Sequence, residues 1–394
     1  MYHIVARFAS VIRSDPATLL RVRAMTETSP GERLCAAVNS SDKPFRILTA
    51  YAKGGHPAWT SKVSVPPELL IDWQQNHGKE LGSLNKLLHD LTWAAWMFRV
   101  SQKYDVVYTG SDWVVLFFAI GQRLMRRKRV PHIFIDFLVT IGHGPSKASV
   151  RRLLYRLAVQ GSCRVLVQRS CEVESYARAL DLPKEKFTFA LYHATIYDTP
   201  YTVRDDGYIF AGGDSDRDYS LLLESVRGLP YRVIIASLNR RQFQGLEIPE
   251  NVEIRNAAEA EFIQLMAGAS VHVVPLKALP QHIGGEQTYA NAMTMGKPTI
   301  VTDMYASDYI ENKVTGILTP AGDSQALRQA IQELMENSES ARRIGASAKE
   351  AAKALAPEKF FDVVFRISEE CLGRHSTDIG VSENPGRYSV KPNY

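Results

Sequence analysis

Two glycine-bearing runs in the second half of the chain combine residue types that can hold a phosphate. The first is Ala211-Gly212-Gly213-Asp214-Ser215-Asp216-Arg217-Asp218. Its glycines let the backbone approach a ligand closely, and Arg217 supplies a fixed positive charge suited to a diphosphate. The second is Gln281-His282-Ile283-Gly284-Gly285-Glu286-Gln287-Thr288, in which Glu286 adds a carboxylate able to bind ribose or sugar hydroxyls. A helix expected over 289–295 and the stop Gly296-Lys297-Pro298 follow at once. The glycine amides and the positive end of that helix therefore converge on one spot. The first run alone reads equally well as an ordinary strand-to-helix turn. The second is the more informative, because its helix follows immediately.

Each run needs a strand before it and a helix after it, and the flanking sequence supplies both. From Gly207 onward YIFAGG, YRVIIAS, NVEIRN, VHVVPL and KPTIVTD read as buried strands. DYSLLLESVRGLP and AEAEFIQLMAGA read as helices between them. A later helix starts at Asp323 or Ser324 and shows one apolar face through Leu327, Ala330, Ile331, Leu334 and Met335. The first half repeats the alternation, with strands FRILTAY, DVVYTG, HIFIDF, RVLVQ and FTFALYH. Its first strand lies in either 2–7 or 19–23. These patterns predict an α/β protein with two Rossmann-like domains, over 1–200 and 207–356, and a helix over 357–374 crossing back to the first domain. A flexible tail is expected over 375–394. In such sheets ligands bind beyond the carboxyl ends of the strands, where both glycine runs fall.

Bulk properties narrow the class. At 394 residues, 45% hydrophobic and 23% charged, the chain is long enough for two globular domains. Four cysteines, Cys35, Cys163, Cys171 and Cys371, show neither CxxC nor zinc-like spacing, so no disulfide framework or metal is expected, and a reducing, cytoplasmic setting is. The opening MYHIVARFASVIRSD has an arginine in its apolar stretch and no small-residue cleavage site, which argues against a secretory signal. The longest apolar run, Trp113 to Ile120, is far short of the roughly 20 residues that a spanning helix needs. Arg126, Arg127, Lys128 and Arg129 end a helix whose apolar side includes Leu116, Phe117, Ile120 and Leu124. That patch suits peripheral contact with anionic lipid; a solvated helix end favoured by its dipole is the alternative. Nucleic acid is not expected as a partner, since no recognition motif accompanies the charge.

The run GGEQTYANAMTMGKPTIVTD, followed by ENKVTGILTPAGDSQALRQAI, resembles the donor-binding half of GT-B glycosyltransferases, especially the group 1, family 4 type. The likeness spans 208–356. In that family a segment E-G-F-G-x-x-x-x-E-A-M-A-x-G-K-P-V-I precedes a strand. Counting back from Gly296-Lys297-Pro298, its second glutamate, which typically binds ribose, falls on Asn291, and its first falls on Ile283. Asn291 keeps hydrogen-bonding capacity without charge, and Glu286 stands three residues from Ile283 as a substitute. The family's G-R-x-x-x-x-K-G loop is replaced by Gly213 to Asp218. Arg217 stands for its lysine and Asp214 for its arginine.

The resemblance implies the GT-B architecture, two such domains facing each other across a cleft, and a hexosyltransferase-like activity. The donor would be a nucleotide-diphosphate sugar. Its phosphates would lie at Gly212, Gly213 and Arg217, its sugar and diphosphate among Gly284, Gly285, Glu286, Gln287 and Thr288, and its ribose near Asn291. The first domain would take the acceptor, a glycan or lipid-linked glycan in polysaccharide biosynthesis. Asp136, at the carboxyl end of HIFIDF, and His143, in the IGHGPSK loop, are with Glu286 the catalytic candidates. A capping or salt-bridged Asp136 and a surface His143 are their structural alternatives. Asp214-Ser215-Asp216 spells the D-x-D that holds a metal in the other major glycosyltransferase fold, but its place inside a second Rossmann unit favours capping, and neither metal nor cofactor is called for. Transfer with retention follows from the family likeness. A sugar-nucleotide 2-epimerase of the same fold and a non-catalytic nucleotide-sugar-binding paralogue are the rival readings.

Overall fold

A computed structural model describes residues 46–51, 70–75, 83–110, 113–124, 129–139, 141, 147–196, 200–278, 284–303 and 306–373. Both halves build a six-stranded, all-parallel sheet. The first takes β1 (Arg46–Tyr51), β2 (Leu70–Gln75), β3 (Val106–Thr109), β4 (His132–Phe134), β5 (Arg164–Val167) and β6 (Phe187–Phe189) in the order β2-β1-β3-β4-β5-β6. Helices α1 (Ser83–Ser101), α2 (Trp113–Leu124), α3 (Lys147–Gly161) and α4 (Ser170–Leu180) connect its strands. Strands β3, β4 and β5 are short and almost wholly apolar, as expected for parallel strands covered on both faces.

The second sheet takes β7 (Tyr208–Gly212), β8 (Arg232–Ala236), β9 (Val252–Arg255), β10 (Val271–Val274), β11 (Thr299–Thr302) and β12 (Ile317–Thr319) in the order β12-β11-β10-β7-β8-β9. The chain runs outward from β7 to β9, then returns to build β10, β11 and β12 on the other side. The switch point thus lies between β7 and β10, and the two glycine runs follow those two strands. Helices α5 (Tyr219–Val226), α6 (Glu259–Gly268), α7 (Glu286–Thr294), α8 (Ser324–Glu336) and α9 (Ser338–Ala351) cover this sheet. Asp323 caps α8 by accepting from the Ala326 amide at 2.8 Å, and Leu327, Ala330, Ile331 and Leu334 are its buried face.

The last described helix, α10 (Pro357–Cys371), belongs spatially to the first sheet. Phe360, Phe361, Val364, Phe365 and Ile367 pack on Val106, Tyr108, Ile133, Ile135 and Leu166. Tyr108 and Ser368 share a hydrogen bond of 2.7 Å, and Arg164 meets Glu370 at 3.1 Å. Cys163 and Cys371 form a disulfide there, with their Cα atoms 6.2 Å apart. This corrects the expectation of unpaired cysteines. The pair is 208 positions apart, so only the return of α10 to the β5 edge brings it together.

Two other readings change. Strand β2 was not expected, since LIDWQQ carries an acid and two glutamines; it is an edge strand paired only with β1. Helix α7 begins at Glu286, not Tyr289, so Glu286 sits in its first turn. Both alternatives for a first strand, the 375–394 tail, Ile283, His143 and Arg126 to Lys128 lie outside the described residues. Among the described residues no helix is long and apolar enough to cross a membrane.

Candidate functional site

Arg217 fastens the two glycine runs into one body. Its side chain is buried, and Nε donates to the Gly212 carbonyl at 3.0 Å. Nη1 donates to the carbonyls of Ser215 (2.7 Å) and Gly284 (3.2 Å), and Nη2 to Thr288 Oγ1 (2.9 Å). Gly213 is glycine because that guanidinium lies on it: at φ +104° an added Cβ would stand 2.7 Å from Arg217 Nη2. Burial lowers the Arg217 pKa, opposed by Tyr219, Glu286 and Asp216. Asp216, in a left-handed conformation, completes the joint by accepting from the Gly284 amide at 3.0 Å. Asp214 faces elsewhere and accepts from Ser237 Oγ at 2.6 Å and the Asn239 amide at 3.2 Å, so it shapes the turn after β8. Neither carboxylate of the D-x-D run caps a helix; the N-cap of α5 is Asp218, which accepts from the Leu221 amide at 3.1 Å. Among the described residues no cluster of three or more His, Cys, Asp or Glu is arranged to hold a metal ion.

Helix α7 starts directly behind this joint. Gly285 is its N-cap at φ +146°, with no side-chain cap, and a Cβ there would stand 3.1 Å from Leu276 Cδ2. By the geometry of a helix start, the amides of Gly285, Glu286 and Gln287 have no intrahelical acceptor. A helix start without a side-chain cap, the kind of backbone end that favours anions, therefore lies at the switch point between β7 and β10.

Residues from both domains meet beside that end. Arg169, which follows β5 and precedes α4, forms an ion pair with Glu286 in which the two residues are 1% and 3% exposed. Burial alone would lower the Arg169 pKa, but the Glu286 carboxylate, with Tyr289 and Glu172, outweighs it and leaves the group above its ordinary value. Around the pair, Tyr309 Oη donates to the Gln168 carbonyl at 2.7 Å and accepts from the Tyr192 amide at 2.9 Å. Burial raises the Tyr289 and Tyr309 hydroxyls well above their ordinary range, so both remain protonated. Ser170 donates its amide and hydroxyl to Asp308, each at 2.7 Å. Asp136 is half-buried at the end of β4 and accepts from Gln168 Nε2 at 3.0 Å. Both Asp136 and Glu286 act electrostatically on Tyr192, which places these two candidates in one neighbourhood.

Three expected donor contacts look different in this geometry. Arg217 spends four donor contacts on protein acceptors, because a buried guanidinium must satisfy its N–H groups locally. Glu286 faces Arg169 rather than open space. Asn291 is held by Thr195 in the connector between the domains: its Oδ1 accepts from the Thr195 amide at 2.8 Å, and its Nδ2 donates to Thr195 Oγ1 at 3.2 Å. Gln287 Nε2 donates to the same hydroxyl at 2.7 Å. Sequence reading missed Arg169, Gln168, Thr195 and Tyr309. A charged residue closing the buried strand RVLVQ was the available signal for Arg169.

The fold is the GT-B architecture of two Rossmann-like domains, and the comparisons with known proteins agree with it. Residues 220–337 match the family described as Glycosyl transferases group 1. Among solved structures, Anabaena HepE, in complex with UDP, is similar with a TM-score of 0.60 and 15% identity, covering 82% of this chain and 100% of its own. Sucrose-phosphate synthase from Thermosynechococcus elongatus gives 0.64 and 16%, covering 92% and 97%. The lipopolysaccharide outer core galactosyltransferase WaaB, in its apo form, gives 0.57 and 13%, covering 82% and 98%. No curated protein matches the sequence.

Proposed function

We propose that the protein transfers a sugar from a nucleoside-diphosphate donor to an acceptor glycan or lipid-linked glycan, with retention of anomeric configuration. The observation that carries this reading is the open, uncapped start of α7 at the β7/β10 switch point, with Gly213 and Gly285 both at positive φ beside it. The donor's diphosphate lies against the amides of Gly213, Gly285 and the first turn of α7, and its sugar lies near Gly284, Gln287 and Thr288. When the bond from the anomeric carbon to the diphosphate breaks, negative charge grows on the leaving oxygen. The fixed amide dipoles and the helix end face that charge without reorganising.

In this reading Gly212 and Arg217 act by holding the two loops in register. Asn291 and Gln287 act by holding Thr195, at the ribose side of the site. Asp136 faces the reacting centre from the first domain and meets the acceptor hydroxyl, with His143 in the next loop as a second candidate. Arg126 to Arg129 would set the first domain on anionic lipid at the cytoplasmic face of a membrane, close to a lipid-linked acceptor. Because HepE is bound to UDP, uridine nucleotides are the first donors to test. Thermal shift against a panel of sugar nucleotides names the donor, since a ligand that binds only the native state raises Tm. Turnover with and without added acceptor then decides the reaction. Transfer needs the acceptor; conversion of the donor sugar without one would establish an epimerase instead, and no turnover of any donor would sink the proposal.

A further inference from the structure

We infer that Arg169 is a positioning residue: from the first domain it cancels the Glu286 carboxylate and so makes the start of α7 fit to receive an anionic donor. The inference rests on the donor placement proposed above. A carboxylate in the first turn already occupies the favourable field at a helix start, which is the field a diphosphate would use. Glu286 is 3% exposed, so water does little to screen it from an anion arriving one turn away. The carboxylate belongs to the second domain. Its nearby Arg217 feels Glu286 but gives its donors to Gly212, Ser215, Gly284 and Thr288.

The neutralising charge comes across the cleft. Arg169 is paired with Glu286 and backed by Glu172, which accepts from the Gln168 and Arg169 amides at 3.0 and 3.1 Å and so fixes the turn that carries the guanidinium. The hydroxyls of Tyr192, Tyr289 and Tyr309 and the thiol of Cys171, all held protonated by burial, also act on Glu286 or its partner. Asp308 stays on Ser170. Docking of the two domains thus brings the cancelling cation to the donor site, so donor affinity and docking are linked and each strengthens the other. This assigns Glu286 a different part from that of a sugar ligand. It is the sensor through which the second domain registers the first.

The test is a charge cycle read by isothermal titration with UDP, GDP, ADP and dTDP, using whichever binds the wild-type chain most tightly. Arg169→Ala leaves a buried, uncancelled carboxylate and should weaken nucleotide binding by about 10- to 100-fold. Glu286→Gln should bind within a few-fold of wild type, and adding it to Arg169→Ala should restore most of the loss. Lowering the pH should also rescue Arg169→Ala, as Glu286 takes up a proton, while leaving the wild type little changed. A double variant as weak as Arg169→Ala would show that the arginine matters only for packing and would overturn the inference. So would Glu286→Gln binding far more weakly than wild type, because Glu286 would then touch the donor itself; that arm decides even if Arg169→Ala fails to fold. If no nucleotide binds the wild-type chain, the donor placement fails first, and the two failures remain distinct.

Discussion

At the scale of single residues, the site is organised by side chains that face inward. Arg217 shows why: a sequence gives its charge and its neighbouring glycines but not the number of carbonyls waiting for it. Replacing it by alanine strands the Gly212 carbonyl and the Thr288 hydroxyl in the interior and should cost about 3 kcal/mol, with loss of nucleotide binding, measurable by denaturant titration beside calorimetry. Arg217→Lys should not restore either, since an ammonium cannot span the same fork. Gly285→Ala tests the helix start from the other side. It forces a side chain into φ +146° and toward Leu276, a strain of about 1–3 kcal/mol at the donor loop. Wild-type affinity in a folded Gly285→Ala protein would remove the loop from the donor site. Type and spacing alone singled out these glycines and Arg217, but not the protein acceptors to which Arg217 gives its donors. The Arg169–Glu286 pair was not singled out either, because nothing local in either segment indicates a partner on another sheet.

Among the elements, legibility followed burial. Strands β7, β8, β10 and β11 are buried runs rich in β-branched or aromatic residues and could be read directly, and Asp323 announced α8 through its capping chemistry. The edge strand β2 could not, since a strand open to solvent on one side needs no such run. Helix α7 starts earlier than expected because a glycine, a weaker start signal than Ser or Asp, is its N-cap. Helix α10 carries the sharpest prediction at this scale. Phe361→Ala removes a buried ring from the face that covers β3, β4 and β5 and should cost about 3–5 kcal/mol, read as a shift in the urea midpoint. A shift no larger than that of a surface substitution would mean that α10 does not dock as described. Non-reducing peptide mapping should recover Cys163 joined to Cys371, and recovery of both as free thiols would refute the bridge.

Among the described residues each sheet carries one buried histidine, and these two, with the buried His193 of the connector, make the whole molecule responsive to acid. Burial lowers His132 to about 3 and, partly offset by the Met266 carbonyl, His272 to about 4, against an ordinary 6.5. Unfolded, each takes up a proton below 6.5; folded, neither does until far lower. Stability is thus fully present above 6.5 and drains away as pH falls toward 4, since the unfolded chain then binds more protons. Urea midpoints across this range should fall with acidity, and a His132→Gln, His272→Gln double variant should flatten the slope. A wild-type midpoint that held steady or rose would contradict the burial of these rings.

The placement of α10 also has a consequence for synthesis. A ribosome emits β3, β4 and β5 early, yet the phenylalanines that cover their open face are made only after the entire second domain. The first domain must therefore wait, with an apolar sheet face bare, while its neighbour folds beside it. Such a nascent chain is a natural client for chaperones, and its two domains finish in the reverse of the order in which they begin.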